Sequence, residues 1–180
     1  MAEKLKVVIA GGGTGGHVFP ALNIAEGMKN RWQCEFLFFG TKRGLESKKV
    51  PEHGYKIKLI PVAGFHRRIT IKNLTFPFKL LKSIKICRKT MREFQPHLVI
   101  GSGGYVMGPV LKTAIGMGIP TVIQEQNSFP GVTTRLLAGK TDIVFLGDSE
   151  ARTYLGNAKK LIVSGNPISL KKSTAIKNEI

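Results

Sequence analysis

The sequence is poor in cysteine and in acid, and it has no long apolar run. Its two cysteines, Cys34 and Cys87, stand far apart, whereas a secreted disulfide framework or a zinc site needs more of them at short spacing. A reducing cytosol is the compartment such usage fits. No stretch approaches the roughly 18 apolar residues of a membrane span, and residues 1–10 lack the apolar core of a signal peptide. Acidic residues number 11 against 28 Lys and Arg, a formal net charge of +17. What is plentiful is apolar: 42% of the residues are hydrophobic, ten of them Phe, which excludes disorder for most of the chain. A chain of 180 residues can bury on the order of 70% of its unfolded surface without disulfide or metal. It is one domain, or a large half of a two-domain enzyme.

The basic excess is concentrated. Between Glu52 and Glu93 there is no acidic residue, while Lys56, Lys58, Arg67, Arg68, Lys72, Lys79, Lys82, Lys85, Arg88, Lys89 and Arg92 all fall there. Such a run points to a polyanionic partner. Within it Leu80, Ile84, Cys87, Met91 and Phe94 recur at helical spacing, with Lys82, Lys85, Lys89 and Arg92 on the opposite face. The apolar stripe reads as core. Just before this helix, Leu74, Phe76 and Phe78 stand beside the cationic face, next to a proline that blocks an earlier regular start. Apolar tips ringed by Lys79, Lys82 and Lys85 suit an anionic lipid surface. Nucleic acid is not expected, because the run holds no recognisable binding motif and few aromatics among its bases.

Residues 4–10 form a short β-rich run that ends in glycines, and residues 18–29 read as a helix with Ala21, Leu22, Ile24, Ala25 and Met28 on its apolar face. Further strands are expected at 34–39, 55–61, 98–101, 120–124, 143–146 and 160–164. Several are apolar throughout, as strands of a parallel sheet covered on both faces are. The fold class is therefore α/β, a Rossmann-like doubly wound parallel sheet. Residues 1–166 make the domain, and 167–180 read as a linker toward a further domain.

Two glycine loops carry the chemistry. Gly11-Gly-Gly-Thr-Gly-Gly16-His17 follows the first strand and opens the first helix, so backbone N–H groups converge where an anion can sit. The run satisfies G-x-G-x-x-G, but a dinucleotide site also wants an acid near the end of the second strand, and residues 38–42 have none. His17 stands where a P-loop carries Lys, which argues against a nucleoside triphosphatase. The second loop, Gly101-Ser-Gly-Gly-Tyr-Val-Met-Gly-Pro109, also leads from strand to helix and faces the same carboxyl edge, where doubly wound folds bind ligands. Glu125 and Asn127 lie just past another strand, and Gly165-Asn-Pro167 ends the last one. For Glu125 a site role and a capping role both remain open.

GGGTGGHVFPAL, GSGGYVMGP, EQN and GNP, in that order, resemble the amino-terminal half of the MurG-type peptidoglycan N-acetylglucosaminyltransferases. The resemblance runs along essentially the whole chain. It implies one half of a two-domain transferase of the GT-B fold, with the lipid-linked acceptor on this half and most of the UDP-N-acetylglucosamine on the other. The implied reaction moves N-acetylglucosamine to the 4-hydroxyl of the muramoyl sugar of lipid I, giving lipid II with inversion, at the cytoplasmic face of the membrane. It implies no metal and no cofactor. Gly13, Gly103 and Gly104 would cradle the acceptor diphosphate, and Tyr105 would orient the acceptor. The loops at Gly11–Gly16 and Gly101–Gly108 as a whole would hold that diphosphate, and Thr14, Gly15, Gly16 and Asn127 would also touch the donor across the cleft. His17, whose unperturbed pKa lies near neutrality, is the first choice for the base and Glu125 the alternative. The chain departs from the family pattern at Gln124, where many members have His, at Met107, where many have Ser, and at Ile168-Ser169, where a basic residue commonly stands.

Overall fold

The computed structural model describes residues 4–62 and 75–168. Its strands are β1 Leu5–Gly11, β2 Cys34–Gly40, β3 Lys56–Leu59, β4 Leu98–Gly103, β5 Thr121–Glu125, β6 Ile143–Leu146 and β7 Leu161–Val163. Its α-helices are α1 Gly15–Lys29, α2 Glu46–Glu52, α3 Phe76–Phe94, α4 Gly104–Gly116 and α5 Val132–Leu137, with a 3₁₀ turn at Ser149–Tyr154. All seven strands join one sheet in the order β3-β2-β1-β4-β5-β6-β7, and every pairing is parallel. The order reverses between β1 and β4, which opens a crevice at their carboxyl ends.

The double winding follows from the alternation of β1. Val7 and Ile9 pack with Val18, Leu22 and Ala25 of α1 and Val50 of α2 on one face. Val8 and Ala10 pack with Cys87 and Met91 of α3 and with Val106, Val110 and Leu111 of α4 on the other. All four β1 residues are fully buried, which is why the strand reads as an unbroken apolar run rather than an alternating one. Burial of Val7, Val8 and Ile9 stabilises the fold by about 1.5–3 kcal/mol each relative to exposure.

The observed strands lie within about two residues of the expected ones at each end, as boundary uncertainty allows. Helix α1 begins three residues earlier than expected, directly on the glycine loop. Helix α3 begins at Phe76 with Pro77 in its first turn, so Phe76 and Phe78 belong to the helix rather than preceding it. Proline is tolerated there because the first turn has orphan N–H groups in any case. Leu74 lies outside the described residues. No helix among the described residues is long and apolar enough to cross a membrane.

Candidate functional site at the carboxyl edge

The carboxyl edge gathers the ends of β1, β2, β4 and β5. Thr14 caps α1 in an extended conformation without a side-chain hydrogen bond, and its carbonyl accepts from the amides of His17 and Val18. The amides of Gly15 and Gly16, in the first turn, are the orphan donors that any helix start leaves. Helix α4 starts in the same way, with Gly103 as its cap and no side-chain cap bond. Two bare helix starts thus border one crevice, and each is suited to an anion.

His17 stands between them. Its Nδ1 lies 3.1 Å from the Ser102 carbonyl oxygen and 3.2 Å from Gln126 Oε1. Both partners only accept, so Nδ1 carries the proton, and in the neutral ring Nε2 keeps its lone pair. Nε2 has no hydrogen-bond partner among the described residues. Ser102 returns the contact, its Oγ donating to the His17 carbonyl at 2.8 Å. A side chain at Gly103 would run into the His17 ring, and the residue's φ of +108° is one that L side chains rarely adopt. Glycine at 103 is therefore what lets the imidazole lie flat against the β4–α4 turn.

Sequence reasoning did not find the carboxylate that shapes the first loop. Glu46, at the start of α2, is fully buried. Its Oε2 accepts from the Gly13 amide at 2.9 Å, and its Oε1 accepts from the Thr41 amide at 2.8 Å and the Thr41 hydroxyl at 3.0 Å. Tyr105 closes the cluster, its hydroxyl 3.5 Å from Thr41 Oγ1. The Gly13 amide is thus engaged inside the loop, while the Gly15 and Gly16 amides lie in the first turn of α1, where no intrahelical acceptor exists. An acid does stand at the end of the second strand, but it is sealed from solvent and cannot reach a ribose. The available signal was glycine at 12, 40 and 44, where an added Cβ would collide with the Glu46 side chain.

Glu125 is held by donors on both of its oxygens. It is 2% exposed, and its Oε1 accepts from the Asn127 amide at 3.1 Å and Asn127 Nδ2 at 2.8 Å. Its Oε2 accepts from the Gly131 amide at 3.1 Å and from Thr134 Oγ1 at 2.6 Å. Four donors saturate it, and two of them anchor the start of α5. Of the two roles open to it in sequence, this geometry matches the capping one. Asn127, with its Nδ2 so engaged, is exposed at the edge. The Gly-Asn-Pro loop reaches the same place: Asn166 Oδ1 accepts from Gln124 Nε2 at 3.2 Å, and Asn23 of α1 donates to the Pro167 carbonyl at 2.9 Å.

The apolar and cationic residues of α3 form a separate surface. Phe78 and Leu81 are 75% and 65% exposed, and Lys79, Lys82 and Lys85 are exposed beside them, while Phe76 is half-buried. Helix α3 runs from the β3 side back to the start of β4, where the His97 amide bonds the Lys6 carbonyl. Its apolar tips are therefore at the end nearest the crevice. Among the described residues no group of three or more His, Cys, Asp or Glu is placed to hold a metal.

A doubly wound parallel sheet with two bare helix starts and a histidine at its switch point defines the amino-terminal half of a GT-B glycosyltransferase. The glycosyltransferase family 28 N-terminal domain matches residues 7–146, and the chain belongs to that family. A protein of Christiangramia forsetii, named as a UDP-N-acetylglucosamine--N-acetylmuramyl-(pentapeptide) pyrophosphoryl-undecaprenol N-acetylglucosamine transferase, is 45% identical over 169 residues, 93% of this chain and 46% of its own. A relative of the same name from Phocaeicola vulgatus is 48% identical over 170 residues, 93% of this chain and 45% of its own. The chain spans about half the length of the curated relatives it matches. The crystal structure of Acinetobacter baumannii MurG superposes with a TM-score of 0.75 at 30% identity, covering 92% of this chain and 47% of that one. A UDP-GlcNAc 2-epimerase from Neisseria meningitidis, 14% identical with a TM-score of 0.64 over 90% of this chain and 47% of its own, shares the fold.

Proposed function

We propose that this chain is the acceptor-binding half of an inverting transferase that moves N-acetylglucosamine from UDP-N-acetylglucosamine to lipid I, giving lipid II in peptidoglycan synthesis. The observation that carries the reading is His17, held between two bare helix starts with Nδ1 engaged and Nε2 open. In the reaction the 4-hydroxyl oxygen of the acceptor bonds to the anomeric carbon as the bond from that carbon to UDP breaks. Nε2 takes the hydroxyl proton, and UDP leaves with the electron pair. A positioned base of this kind contributes about 10²- to 10⁴-fold. Glu125, saturated by four donors, serves instead to fix the loop that carries Asn127. The acceptor diphosphate lies against the outward amides of Gly15 and Gly16 and the first turn of α4, with Tyr105 beside it. Gly13 shapes the cradle without donating to it. Thr14 and Asn127, both exposed at the edge, face the donor.

The reading includes a membrane contact. Phe78 and Leu81 with Lys79, Lys82 and Lys85 present apolar tips among cations at the crevice end of α3, and such a surface suits anionic lipid. It would bring the protein to the cytoplasmic face of the membrane where its acceptor is anchored.

The test is an NMR titration of the chain with a short-chain lipid I analogue and, separately, with UDP-N-acetylglucosamine. Shifts clustered at residues 14–17 and 103–106 with the acceptor, and little response to the donor, are expected. Saturable donor binding with no acceptor response would assign the crevice to the wrong substrate. Measurable turnover by the 180-residue chain would show that it is more than the acceptor half.

A further inference from the structure

The mechanism above uses His17 but not the side chains behind it. Gln126 Nε2 is surrounded by acceptors: the Ser102 carbonyl at 2.9 Å, the Gln124 carbonyl at 3.2 Å and Gln124 Oε1. The nitrogen of the amide must face them, which leaves Oε1 toward His17 Nδ1. Gln124 is fixed by the same logic. Its Nε2 donates to Asn166 Oδ1 at 3.2 Å and to the Glu125 carbonyl at 3.4 Å, so its Oε1 is the atom that meets Gln126. Asn166 Nδ2 in turn donates to the Gln126 carbonyl at 3.3 Å. Donation therefore runs one way, from His17 to Gln126 to Gln124 to Asn166. Aligned chains of this kind reinforce each other's polarity in a low-dielectric interior, and Gln124 is 4% exposed.

We infer that Gln126, oriented by Gln124 and Asn166, is a positioning residue that fixes the tautomer of His17 with its proton on Nδ1. The inference rests on the reading of His17 as base and says how that base is held ready. A free imidazole prefers the proton on Nε2, the tautomer in which the reactive nitrogen has no lone pair to offer. Here that tautomer would set the Nδ1 lone pair against two oxygens. An amide achieves the selection without adding a negative charge. A carboxylate in its place would also stabilise the imidazolium, and so keep the base protonated and idle. The relay further ties His17 to the Gly-Asn-Pro loop, which Asn23 fastens to α1.

The experiment is ¹⁵N NMR of the histidine rings in the 180-residue chain, which reports tautomer and pKa directly. The wild type is expected with the His17 proton predominantly on Nδ1. Gln126→Leu is expected to raise the Nε2–H share about fivefold, the effect of losing one neutral hydrogen bond. Asn166→Ala should move it in the same direction by less. Gln126→Glu should raise the pKa of His17 by about one unit or more, as an opposite charge at this distance does. A wild type with its proton on Nε2, or an unchanged ratio in a folded Gln126→Leu chain, would overturn the inference; the second outcome would assign the tautomer to the Ser102 carbonyl alone. If Gln126→Leu does not fold, an unchanged His17 pKa in Gln126→Glu would overturn it equally. Failure of the base reading looks different: His17→Ala would leave transfer by the two-domain enzyme intact while the tautomer shifts remained as expected.

Discussion

The two edges of the sheet differ in how they use polar groups. At the amino edge lies a hollow of about 480 Å³, lined by Leu98, Ile115, Val122 and Ile143 with Lys140, Asp142 and Lys159 at its rim. Its main polar feature is Asp142, which accepts from the Thr121 amide and hydroxyl and pairs with Lys159 at 3.1 Å. At the carboxyl edge buried Glu46, Glu125 and Gln124 are bound to backbone and side chains of five different segments. A hollow at the carboxyl edge, beside Gln124, Phe145, Gly165 and Asn166, is smaller at about 270 Å³. Density of satisfied buried polar groups marks the site better than volume does, because ordering such groups is justified only where geometry must be held.

The comparison can be broken by removing one acid from each edge. Glu125→Ala leaves the buried Thr134 hydroxyl and the part-buried donors of Asn127 and Gly131 without their acceptor and is expected to lower stability by about 3–5 kcal/mol in urea unfolding. A loss below about 1 kcal/mol would mean that the carboxyl edge is no more tightly built than its opposite. Gly103→Ala should cost about 1–3 kcal/mol through the left-handed backbone and should also displace His17, seen as a change in its ring shifts. Asp142→Asn, at the half-exposed pair of the amino edge, should cost less than about 1 kcal/mol.

Asp142 also sharpens the contrast through pH. Hydrogen bonds from the Thr121 backbone, and then from Lys159 and the Thr121 side chain, hold its carboxyl below the usual range against a smaller opposing effect of burial. A depressed folded pKa contributes stability that is fully present above the unfolded value. That stability is lost as pH falls through the folded one. The acid limb of the stability curve should therefore be shallower in Asp142→Asn, which gives up that contribution near neutrality and differs little from the parent below the folded pKa. The smallest effect concerns the thiols. Burial pushes the Cys87 thiol up to about 12, so an alkylating reagent at neutral pH should leave it untouched in the native chain. The less buried Cys34, raised by burial in the same direction, should react first, and both should react in denaturant.

Most of the sheet was legible because its signals are local. The apolar runs at 5–11 and 143–146, and the glycines at 11–16 and 101–104, report strand ends and helix starts within a few residues. The place of His17 in the first turn of α1 was legible for the same reason, since it closes a glycine loop. Glu46 and Gln126 were not. Glu46 meets Gly13 across 33 residues and Gln126 meets His17 across 109, and no periodicity encodes a contact of that span. The true boundary of α3 was missed because proline reads as a stop, whereas in a first turn it is a start. Residue 125 was left between two roles because sequence names a carboxylate but not its partners, and the four donors that surround it come from the chain up to nine residues ahead.

Glu46 has a consequence for how the crevice would meet an anion. In an ordinary phosphate nest the incoming ligand orders the glycine amides, and affinity is reduced by the loss of loop freedom at that moment. Here the buried Glu46 side chain already occupies the inner position of the loop, its Oε2 accepting from the Gly13 amide, with φ of Gly13 at +94°. The loop is folded around this side chain before any ligand arrives. Its entropy loss then belongs to folding rather than to any later binding. A loop ordered in this way has less freedom left to lose on meeting an anion than a free glycine loop has.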